Sequence, residues 1–361
     1  MRWRNWRHLN HLLPTRYEAA LHFSSALVNG TPGILVWTKE TLLATTACQM
    51  TDAWLVSHFS TLSRLLGDLL NNRINMQMKV PKEASIMKVL VTGGAGRLGS
   101  KVVKELTETG YSVRIMSRKR QPTNLLSATE WAQADLETGQ GIADAVAGID
   151  VVVHAASSPF KHTRQIDVDG TRLLLEQARV AGVAHVIYIS IVGIDRILYY
   201  YYRAKLAAEE LVKDSGIPWS ILRATQFHYL VDLFFQAATK VPLVTLLPTD
   251  LLSQSIAESE VASRLCEIAV AGPGGRLPDL GGPEVLTAGQ MARTWLMLRG
   301  MHRRVLPLHL PGEVAQGFRR GYNTCPDQPV RGHIIWTEWV QSKYEVKDNQ
   351  ASRKQVSRDT K

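Results

Sequence analysis

The fold of this chain is decided by Met87-Lys88-Val89-Leu90-Val91-Thr92-Gly93-Gly94-Ala95-Gly96-Arg97-Leu98-Gly99. A short apolar run ends there in three glycines at intervals of three residues, Gly93, Gly96 and Gly99. The residues from Ser100 to Thr109 follow with apolar side chains on one helical face. Because glycine has no Cβ, the turn backbone can approach a pyrophosphate closely, and a helix N-terminus favours the negative charge. The stretch therefore predicts a strand, a phosphate-binding turn and a helix that together hold a dinucleotide.

Short apolar strands alternate with helical segments between residues 88 and 225. This alternation predicts an α/β fold with a Rossmann-type doubly wound parallel sheet and helices on both faces. After Thr225 short helices mix with turns rich in Gly and Pro, which predicts a small C-terminal substrate lobe. The predicted strands are Lys88–Thr92, Ser112–Ser117, Glu130–Ala134, Asp150–Ala155, His185–Ser190 and Trp219–Arg223. The predicted helices after the first are Ile142–Ala147, Thr171–Ala181 and Tyr200–Ser215.

The chain is predicted to contain four segments. They are an N-terminal extension of uncertain order (1–86), the NAD(P)-binding Rossmann domain (87–225), the C-terminal substrate lobe (226–342) and a disordered tail (343–361). Three interpretations of the extension stay open. In the first, residues 28–52 resemble the end of the SnoaL-like tail of some extracytoplasmic-function sigma factors. In the second, the extension is poorly ordered, and in the third, Met87 is the true start and the upstream part is an over-long gene model.

Composition places the chain among ordinary globular proteins, with 45% hydrophobic and 20% charged residues. No apolar run reaches the roughly 18 to 20 residues that a membrane span needs, so we expect no integral membrane span. Cys48, Cys266 and Cys325 are far apart, which argues against a disulfide framework and against a zinc site. We therefore expect no metal and a reducing, cytoplasmic compartment. No apolar signal core follows the first arginines.

The net charge of +10 does not predict a nucleic-acid partner. More than half of this excess falls in residues 1–86 and 343–361, outside the predicted domain core. A nucleic-acid face would cluster Lys and Arg on one element with aromatic residues between them. The one short basic cluster, Arg118-Lys119-Arg120, follows the second predicted strand. We therefore expect a small-molecule substrate and no nucleic acid, and the sequence leaves the oligomeric state open.

The end of the second strand predicts NADP(H) in preference to NAD(H). An acidic residue there would bind the ribose 2′-hydroxyl of NAD, but this chain has Ser117 followed by Arg118, Lys119 and Arg120. An arginine offers a planar fork that suits the oxygens of a 2′-phosphate. Arg97 in the glycine turn is a second candidate for the same phosphate. The alternative interpretation of the cluster is a solvated basic loop.

The ends of the third and fourth strands supply further candidate contacts to the cofactor. Asp135 and Leu136 follow the third strand, at the position that faces the adenine edge in this fold. Ala155 and Ala156 follow the fourth strand, where small residues let the backbone approach the cofactor. His154 ends that strand among valines, and we interpret it as a packed residue with one hydrogen bond rather than a catalytic base.

Three residues after the fifth strand predict hydride chemistry. The strand ends at Ser190, and Tyr201 and Lys205 are four residues apart, so they project from one face of the following helix. The lysine ammonium lowers the phenol pKa and holds the ribose, the phenol moves the substrate proton, and the serine orients the carbonyl. The alternative is that a tyrosine run on a half-buried helix serves packing alone. Which tyrosine of Tyr199–Tyr202 faces the nicotinamide is open.

Six stretches, by their order and spacing along the chain, carry a resemblance to a known family. They are Val91-Thr92-Gly93-Gly94-Ala95-Gly96-Arg97-Leu98-Gly99, Asp167-Val168-Asp169-Gly170-Thr171, Tyr188-Ile189-Ser190-Ile191-Val192-Gly193, Tyr202-Arg203-Ala204-Lys205-Leu206-Ala207-Ala208-Glu209, Trp219-Ser220-Ile221-Leu222-Arg223-Ala224-Thr225-Gln226-Phe227 and Asp279-Leu280-Gly281-Gly282-Pro283-Glu284. Together they resemble the short-chain dehydrogenase/reductase superfamily and, more closely, its atypical NmrA-like branch of NAD(P)H-binding proteins. The resemblance spans about residues 87–340. It implies a Rossmann fold with NADP in the glycine turn and Gln226 near the nicotinamide. The candidate cofactor-binding residues are Gly93, Gly96, Arg97, Leu98, Gly99, Ser117, Arg118, Asp135, Leu136, Ala155, Ala156, Lys205 and Gln226.

The expected function is an NAD(P)H-dependent oxidoreductase acting on a small, hydrophobic carbonyl or quinone acceptor. The lobe after residue 226 is apolar, which favours a hydrophobic acceptor; its apolar residues include Leu230, Phe234, Phe235, Val241 and Leu243. The resembled branch ranges from reductases to redox sensors that bind the nucleotide without turnover, and distant relatives are accessory subunits of respiratory complex I. A non-catalytic NADP-binding sensor or scaffold is therefore the alternative, and a sugar-nucleotide epimerase is a weaker one.

Overall fold

The computed structural model describes residues 22–28, 31–38, 41–45, 87–123, 129–240, 244–328 and 331–345. The chain divides into two compact units, Met1–Ala84 and Ser85–Lys361. The rest of the predicted extension, nearly all of the predicted tail, and Val241 and Leu243 lie outside the described residues.

The first unit contains a three-stranded antiparallel sheet, formed by β1 (His22–Val28), β2 (Thr31–Thr38) and β3 (Thr41–Thr45). β2 pairs with both of its neighbours and so lies in the middle. The three interpretations of residues 1–86 stay predictions.

The second unit is built on a seven-stranded sheet in which every neighbouring pair is parallel. Its strands are β4 (Lys88–Thr92), β5 (Ser112–Ser117), β6 (Thr129–Gln133), β7 (Val151–His154), β8 (His185–Ile191), β9 (Trp219–Ala224) and β12 (Gly275–Arg276). They lie in the order β6-β5-β4-β7-β8-β9-β12. The order reverses between β4 and β7, which is the crevice where doubly wound sheets bind ligands. The predicted fold class is confirmed.

Helices cover both faces of this sheet. They are α1 (Arg97–Glu108), α2 (Ile142–Val146), α3 (Gly170–Val180), α4 (Tyr200–Lys213), α5 (His228–Ala238), α6 (Glu258–Ala271), α7 (Ala288–Leu298) and α8 (Glu313–Arg319), followed by helical residues 336–345. Successive strand side chains point to opposite faces, so in β4 Val89 and Val91 pack with α1 and α6. Leu90 packs on the other face with residues of α2, α3 and α4.

Two helical features depart from the predicted pattern. α1 begins at Arg97, three residues before the predicted start, because Gly99 packs against the Gly93 carbonyl and allows the helix to start inside the glycine motif. A π-helical segment, Arg164–Asp169, precedes α3 and continues into it. The sequence pattern did not predict this segment, and it carries Asp167 to the site described below.

The C-terminal lobe has a small core of its own. Phe235 of α5, Trp295 of α7 and Trp336 are fully buried together. Two short strand pairs complete it, β10 (Val244–Leu247) with β14 (Arg304–Pro307) and β11 (Leu252–Ser253) with β13 (Leu286–Thr287). The side chain of Phe235 therefore serves packing and does not line a cleft, whereas Phe234 is 48% exposed.

No helix in the described ranges is long and apolar enough to cross a membrane. Within the same ranges no three or more His, Cys, Asp and Glu side chains are grouped so that they could hold a metal ion.

Candidate nucleotide-binding and active site

The glycine turn after β4 is packed so tightly that side chains are excluded. Gly93 has φ +65°, and a Cβ at this position would lie 2.9 Å from the Cα of Ala156. A Cβ on Gly99 would lie 2.3 Å from the Gly93 carbonyl oxygen. The amide of Gly96 donates a hydrogen bond to that carbonyl at 2.7 Å. Glycine is required here because the turn, the end of β7 and the start of α1 meet without room for a methyl group.

The N-terminus of α1 suits a pyrophosphate. Gly96 caps the helix without a side-chain hydrogen bond, and the first turn contains no acidic residue. The partial positive charge of the helix start is therefore not neutralised by a carboxylate of its own. The cradle, which a Cβ at Gly93 or Gly99 would fill, fits the phosphates of a dinucleotide.

Gly93→Ala is expected to weaken nucleotide binding at least about tenfold and to destabilise the fold. The left-handed backbone alone costs about 1–2 kcal/mol for a non-glycine residue, and the clash with Ala156 is added to it. Gly110→Ala is the matched control, because Gly110 also has positive φ (+88°) but nothing lies within 4 Å of its added Cβ. Fluorescence titration with NADPH and urea unfolding of both variants measure the effect. Equal behaviour of the two variants would contradict the assigned role of the turn.

The end of β5 is basic and exposed. Arg118, Lys119 and Arg120 are all solvent-exposed, and the amide of Lys119 donates to the Ser117 hydroxyl at 3.2 Å. Side chains of β6 hold the backbone of this turn, since the Trp131 indole donates to the Lys119 carbonyl at 3.2 Å. No acidic residue follows the strand, so the position offers cations where an NAD-binding site would offer a carboxylate.

Arg97, the second candidate for a 2′-phosphate, lies against another part of the site. Its guanidinium stacks over the ring of Tyr229 in α5, 4.8 Å from the centroid. Tyr229 in turn stacks on Phe227, with 5.7 Å between the ring centroids. The glycine turn and the segment after β9 therefore meet at this pair. The predicted contact of Arg97 with a 2′-phosphate stays a prediction.

Asp135 and Leu136 shape the turn after β6. The Asp135 carboxylate accepts the amide N–H of Glu137 at 2.9 Å, while the Asp135 amide donates to the Gln140 carbonyl. Leu136 is buried, and its carbonyl oxygen would lie 2.5 Å from a Cβ on Gly170. Both residues follow the strand as expected, and their contact with the adenine stays a prediction.

His154 makes two hydrogen bonds, not the one predicted. The Thr92 hydroxyl oxygen accepts the amides of Ala155 and Ala156, each at 3.1 Å. Its own hydrogen is therefore donated to Nδ1 of His154 at 2.7 Å. The remaining ring nitrogen, Nε2, then carries the hydrogen and donates to the Thr171 hydroxyl at 2.9 Å. These hydrogen bonds fix one neutral tautomer of His154 and hold the backbone after β7 in place.

His154 is consequently a structural residue. Burial, and next the charge of Lys205, lower the pKa of His154 to about 3. The ring stays neutral at physiological pH and both of its nitrogens are occupied. It therefore has neither the free nitrogen nor the pKa that a general base at neutral pH requires.

Lys205 of α4 reaches the carboxyl end of β8 from inside the protein. Its ammonium donates to the Ile189 carbonyl at 2.8 Å and lies 4.1 Å from the centroid of the Tyr188 ring. Burial lowers the pKa of Lys205 to about 8, against the opposing effect of the Asp167 and Glu209 carboxylates. A cation is thus held at the edge where the strands end.

Tyr201 is the tyrosine of the run whose hydroxyl lies at this edge. Its phenol is 2.7 Å from the Ser157 hydroxyl, two residues beyond Ala155. Burial, and next the charge of Asp167, raise the pKa of Tyr201 above its usual value. Tyr202 is instead buried against Ile197 and its neighbours, and Tyr200 is 60% exposed. The structure thus brings Tyr201 and Lys205 to one edge of the sheet, while their catalytic role stays a prediction.

Ser190 is buried, and its hydroxyl has no hydrogen-bond partner in the part of the chain that the structure describes. Burial acts to raise the pKa of the neighbouring helix residue Glu209, but the hydrogen bonds and charge of Arg223 outweigh it and hold that pKa below its usual value. Arg223 binds Glu209 with two hydrogen bonds of 2.8 Å and also contacts Asp195 at 3.2 Å. The hydrogen-bond partner of Tyr201 is Ser157, so the structure does not join Ser190 to the phenol.

Gln226 follows β9 and is half-buried. Its carbonyl accepts the amide of Ile256 at 2.9 Å, which ties the segment after β9 to the start of α6. Its predicted place near the nicotinamide stays a prediction.

Sequence reasoning missed Ser157, Asp167 and the Arg223–Glu209 pair. The one sequence signal that could have identified Ser157 was its position directly after the small residues that follow β7.

Comparison with known proteins places this geometry in a family. A family model described as NAD(P)H-binding matches residues 93–269. The chain is 29% identical over 148 residues to the photosystem II assembly factor Ycf39 of Trieres chinensis, which covers 39% of this chain and 46% of that protein. It is 30% identical over 151 residues to the uncharacterized sugar epimerase YhfK of Bacillus subtilis, or 38% of this chain and 71% of that protein. The chain thus spans less than half the length of the assembly factor.

Among solved structures, the chain is similar to the NADPH-dependent quinone oxidoreductase QOR2 of Escherichia coli complexed with NADPH. The TM-score is 0.61 at 19% identity, over 71% of this chain and 99% of that one. This likeness shows the shared fold. The family model, the identity to YhfK and the glycine turn at the β4–β7 crevice agree with this shared fold. The chain belongs to the atypical short-chain dehydrogenase/reductase family of NAD(P)H-binding proteins.

Proposed function

We propose that this protein is an NADPH-dependent oxidoreductase that reduces the carbonyl or quinone group of a small hydrophobic molecule. The observation that carries the proposal is the pair Tyr201 and Lys205, with the phenol bonded to Ser157 and the ammonium to the Ile189 carbonyl. Both lie at the carboxyl edge of the sheet, beside the glycine turn. A protonated phenol and a cation at one edge of the sheet are the groups that carbonyl reduction needs.

Tyr201, Lys205 and the Ile189 carbonyl each have a separate role in the proposed reaction. The nicotinamide, when bound, supplies the hydride. Tyr201 donates the phenol proton to the substrate oxygen, and with a pKa above its usual value the phenol is protonated at neutral pH. Lys205, with a pKa of about 8, carries much of its positive charge at neutral pH and stabilises the phenolate that remains. The Ile189 carbonyl fixes the ammonium in position.

Exposed apolar side chains near the site support a hydrophobic acceptor. Leu198, Tyr199 and Tyr200, directly before Tyr201, are 59%, 39% and 60% exposed. Phe160, in the loop that carries Ser157, is 83% exposed. Apolar surface that adjoins a polar reacting group is typical of sites for small lipophilic ligands. Two free, buried cysteines, Cys266 and Cys325, accord with the proposed cytoplasmic location.

We propose NADPH as the preferred cofactor, because the exposed Arg118 cluster stands where an acidic residue would select NAD. Arg118→Ala is expected to raise the Kd for NADPH about tenfold, since hydrogen bonds to charged groups are each worth about 1.5–3 kcal/mol. The Kd for NADH should stay within about twofold. The control is Arg179→Ala, which removes an exposed arginine at the end of α3, remote from the glycine turn. Parallel titrations test the preference, and an equal effect on both cofactors would contradict it.

The proposed activity is tested by NADPH oxidation in the presence of a panel of quinones and aldehydes. We expect turnover with at least one hydrophobic acceptor, with hydride transfer verified by identification of the alcohol or quinol. The full chain is used. Tight NADPH binding with no turnover across the panel would contradict the proposal.

Tight NADPH binding without turnover would favour a nucleotide-binding scaffold. The similarity to an assembly factor supports this candidate. It predicts a partner protein that is retained on the immobilised chain in one cofactor state only, and retention independent of the cofactor would count against it. The similarity to YhfK, named an uncharacterized sugar epimerase, makes sugar nucleotides a third probe. Epimerisation of a sugar nucleotide with no net NADPH consumption would support that candidate.

A further inference from the structure

A buried carboxylate lies behind the phenol of Tyr201. Ser157 bridges the two groups, with its hydroxyl 2.7 Å from the Tyr201 oxygen and 2.5 Å from Oδ1 of Asp167. The other carboxylate oxygen, Oδ2, accepts the amide of Ser158 at 2.8 Å. Asp167 is therefore held at both oxygens, and it is almost wholly buried in the π-helical segment Arg164–Asp169.

The hydrogen bonds that link Tyr201, Ser157 and Asp167 form a hydrogen-bond chain, and they run in one direction. An ionised carboxylate has only acceptor sites, so Ser157 donates its hydrogen to Asp167. The lone pairs of Ser157 then face Tyr201, and the phenol donates its own hydrogen to Ser157. In this arrangement the phenol is protonated, its hydrogen is aimed along the chain, and a negative charge stands at the far end.

We propose that Asp167, acting through Ser157, is a positioning residue that holds the Tyr201 phenol in its protonated form, and that Ser157 supplies the hydrogen bond that the phenolate needs once it has given up its proton. This inference rests on the proposed reductase function for its purpose, but its physical content is a property of Tyr201 that can be measured without turnover.

Every proton that moves along the hydrogen-bond chain is accounted for. The phenol hydrogen leaves its hydrogen bond to Ser157 and passes from the Tyr201 oxygen to the substrate oxygen, while the carbonyl carbon gains the hydride that a bound nicotinamide would supply. The Ser157 hydroxyl turns its hydrogen from Asp167 to the phenolate, so the new negative charge acquires a donor. A proton from solvent restores the phenol after the alcohol leaves, and Ser157 returns to Asp167. No further oxidant or reductant is required.

Other groups around Tyr201 act in the same or the opposite sense. Tyr202 on the same helix and Tyr229 of α5 also raise the pKa of Tyr201, whereas Ser157 lowers it. Lys205, one helical turn away, has its own pKa lowered by burial and raised by Asp167. Asp167 is the carboxylate among these groups, so its charge is the one to remove.

The test is Asp167→Asn, matched by Asp169→Asn. Asp169 lies in the same π-helical segment and is exposed, so the control removes an equal charge from the same element. NMR of the protein labelled at tyrosine ¹³Cζ, with Tyr201→Phe to assign the signal, follows the phenol through a pH titration. We expect the Tyr201 signal of Asp167→Asn to differ from wild type already at neutral pH, because the charge at the end of its hydrogen bonds is gone, and to begin to ionise at lower pH, while Asp169→Asn follows wild type. An identical Tyr201 signal in Asp167→Asn and wild type, up to the pH where the fold is lost, would overturn the inference.

Ser157→Ala provides an independent measurement if Asp167→Asn does not fold. It removes the bridging hydroxyl and leaves the Asp167 carboxylate on its Ser158 amide. We expect the Tyr201 signal to shift because its hydrogen bond is lost, and an unmoved signal overturns the inference. If no acceptor is reduced yet both variants shift the Tyr201 signal as described, the proposed function fails and the inference about the phenol stands. With an active acceptor, Asp167→Asn also moves the alkaline fall of reductase activity to lower pH.

Discussion

Tyr201→Phe is expected to lower kcat for carbonyl reduction by about 10²–10⁴-fold, the range that a positioned proton donor contributes. The phenyl ring keeps the packing of the side chain and removes only the hydroxyl that faces Ser157. NADPH binding should stay within about twofold of wild type, because the glycine turn and the Arg118 cluster are untouched. Steady-state kinetics and a cofactor titration on the same preparation separate the two effects.

The matched control is Tyr200→Phe. Tyr200 is the neighbouring tyrosine, starts α4 and is 60% exposed. Loss of its hydroxyl should leave kcat within about twofold of wild type. Full activity in Tyr201→Phe, or an equal loss in both variants, would remove Tyr201 from the proposed mechanism.

Arg223→Met is expected to destabilise the fold by about 3–5 kcal/mol, the cost of leaving one partner of a buried ion pair alone. The Glu209 side chain is fully buried and receives two hydrogen bonds from Arg223. Methionine removes both and leaves the carboxylate without its cation. The free energy of unfolding, measured in urea, tests the effect. Arg203→Met, at an exposed position of α4, is the control and should change it by less than about 0.5 kcal/mol.

The pH dependence of this loss has a definite sign. The pKa of Glu209 lies below 4.5 in the folded protein, so its stabilising contribution is present above about pH 4.5 and is lost as the pH falls through the folded value. In Arg223→Met burial raises the pKa of that carboxyl, so the deficit relative to wild type should shrink as the pH falls from 7 to 5. Adding Glu209→Leu should recover much of the stability at pH 7. A deficit independent of pH would contradict the ion-pair explanation.

The sequence predicted the parts of the fold that depend on local pattern. Short apolar runs that alternate with helical segments predicted all six of the strands from β4 to β9, and the glycine spacing predicted the turn that Gly93 and Gly99 form. The four-residue interval between Tyr201 and Lys205 placed both on one helix. These features are read from neighbouring residues, which is why one sequence suffices for them.

The parts that the sequence did not predict depend on contacts between distant residues. Asp167 reaches Ser157 because a π-helical segment shifts the register before α3, and no local pattern announced that segment. Arg223 and Glu209 lie on β9 and α4, and their pairing follows from how the helix packs on the sheet. Two partners of His154, Thr92 and Thr171, come from separate elements as well. Tertiary packing alone brings these side chains together.

Binding of the dinucleotide in the glycine turn is tested most directly by titration of the full chain with NADPH and, in parallel, with NADH, followed by the tryptophan fluorescence of the protein. We expect saturable binding of both cofactors, with NADPH bound about tenfold more tightly or better, and loss of most of that preference in Arg118→Ala. No binding of either cofactor to the folded chain would contradict the assignment of the glycine turn to the phosphates, and tighter binding of NADH would contradict the role given to Arg118.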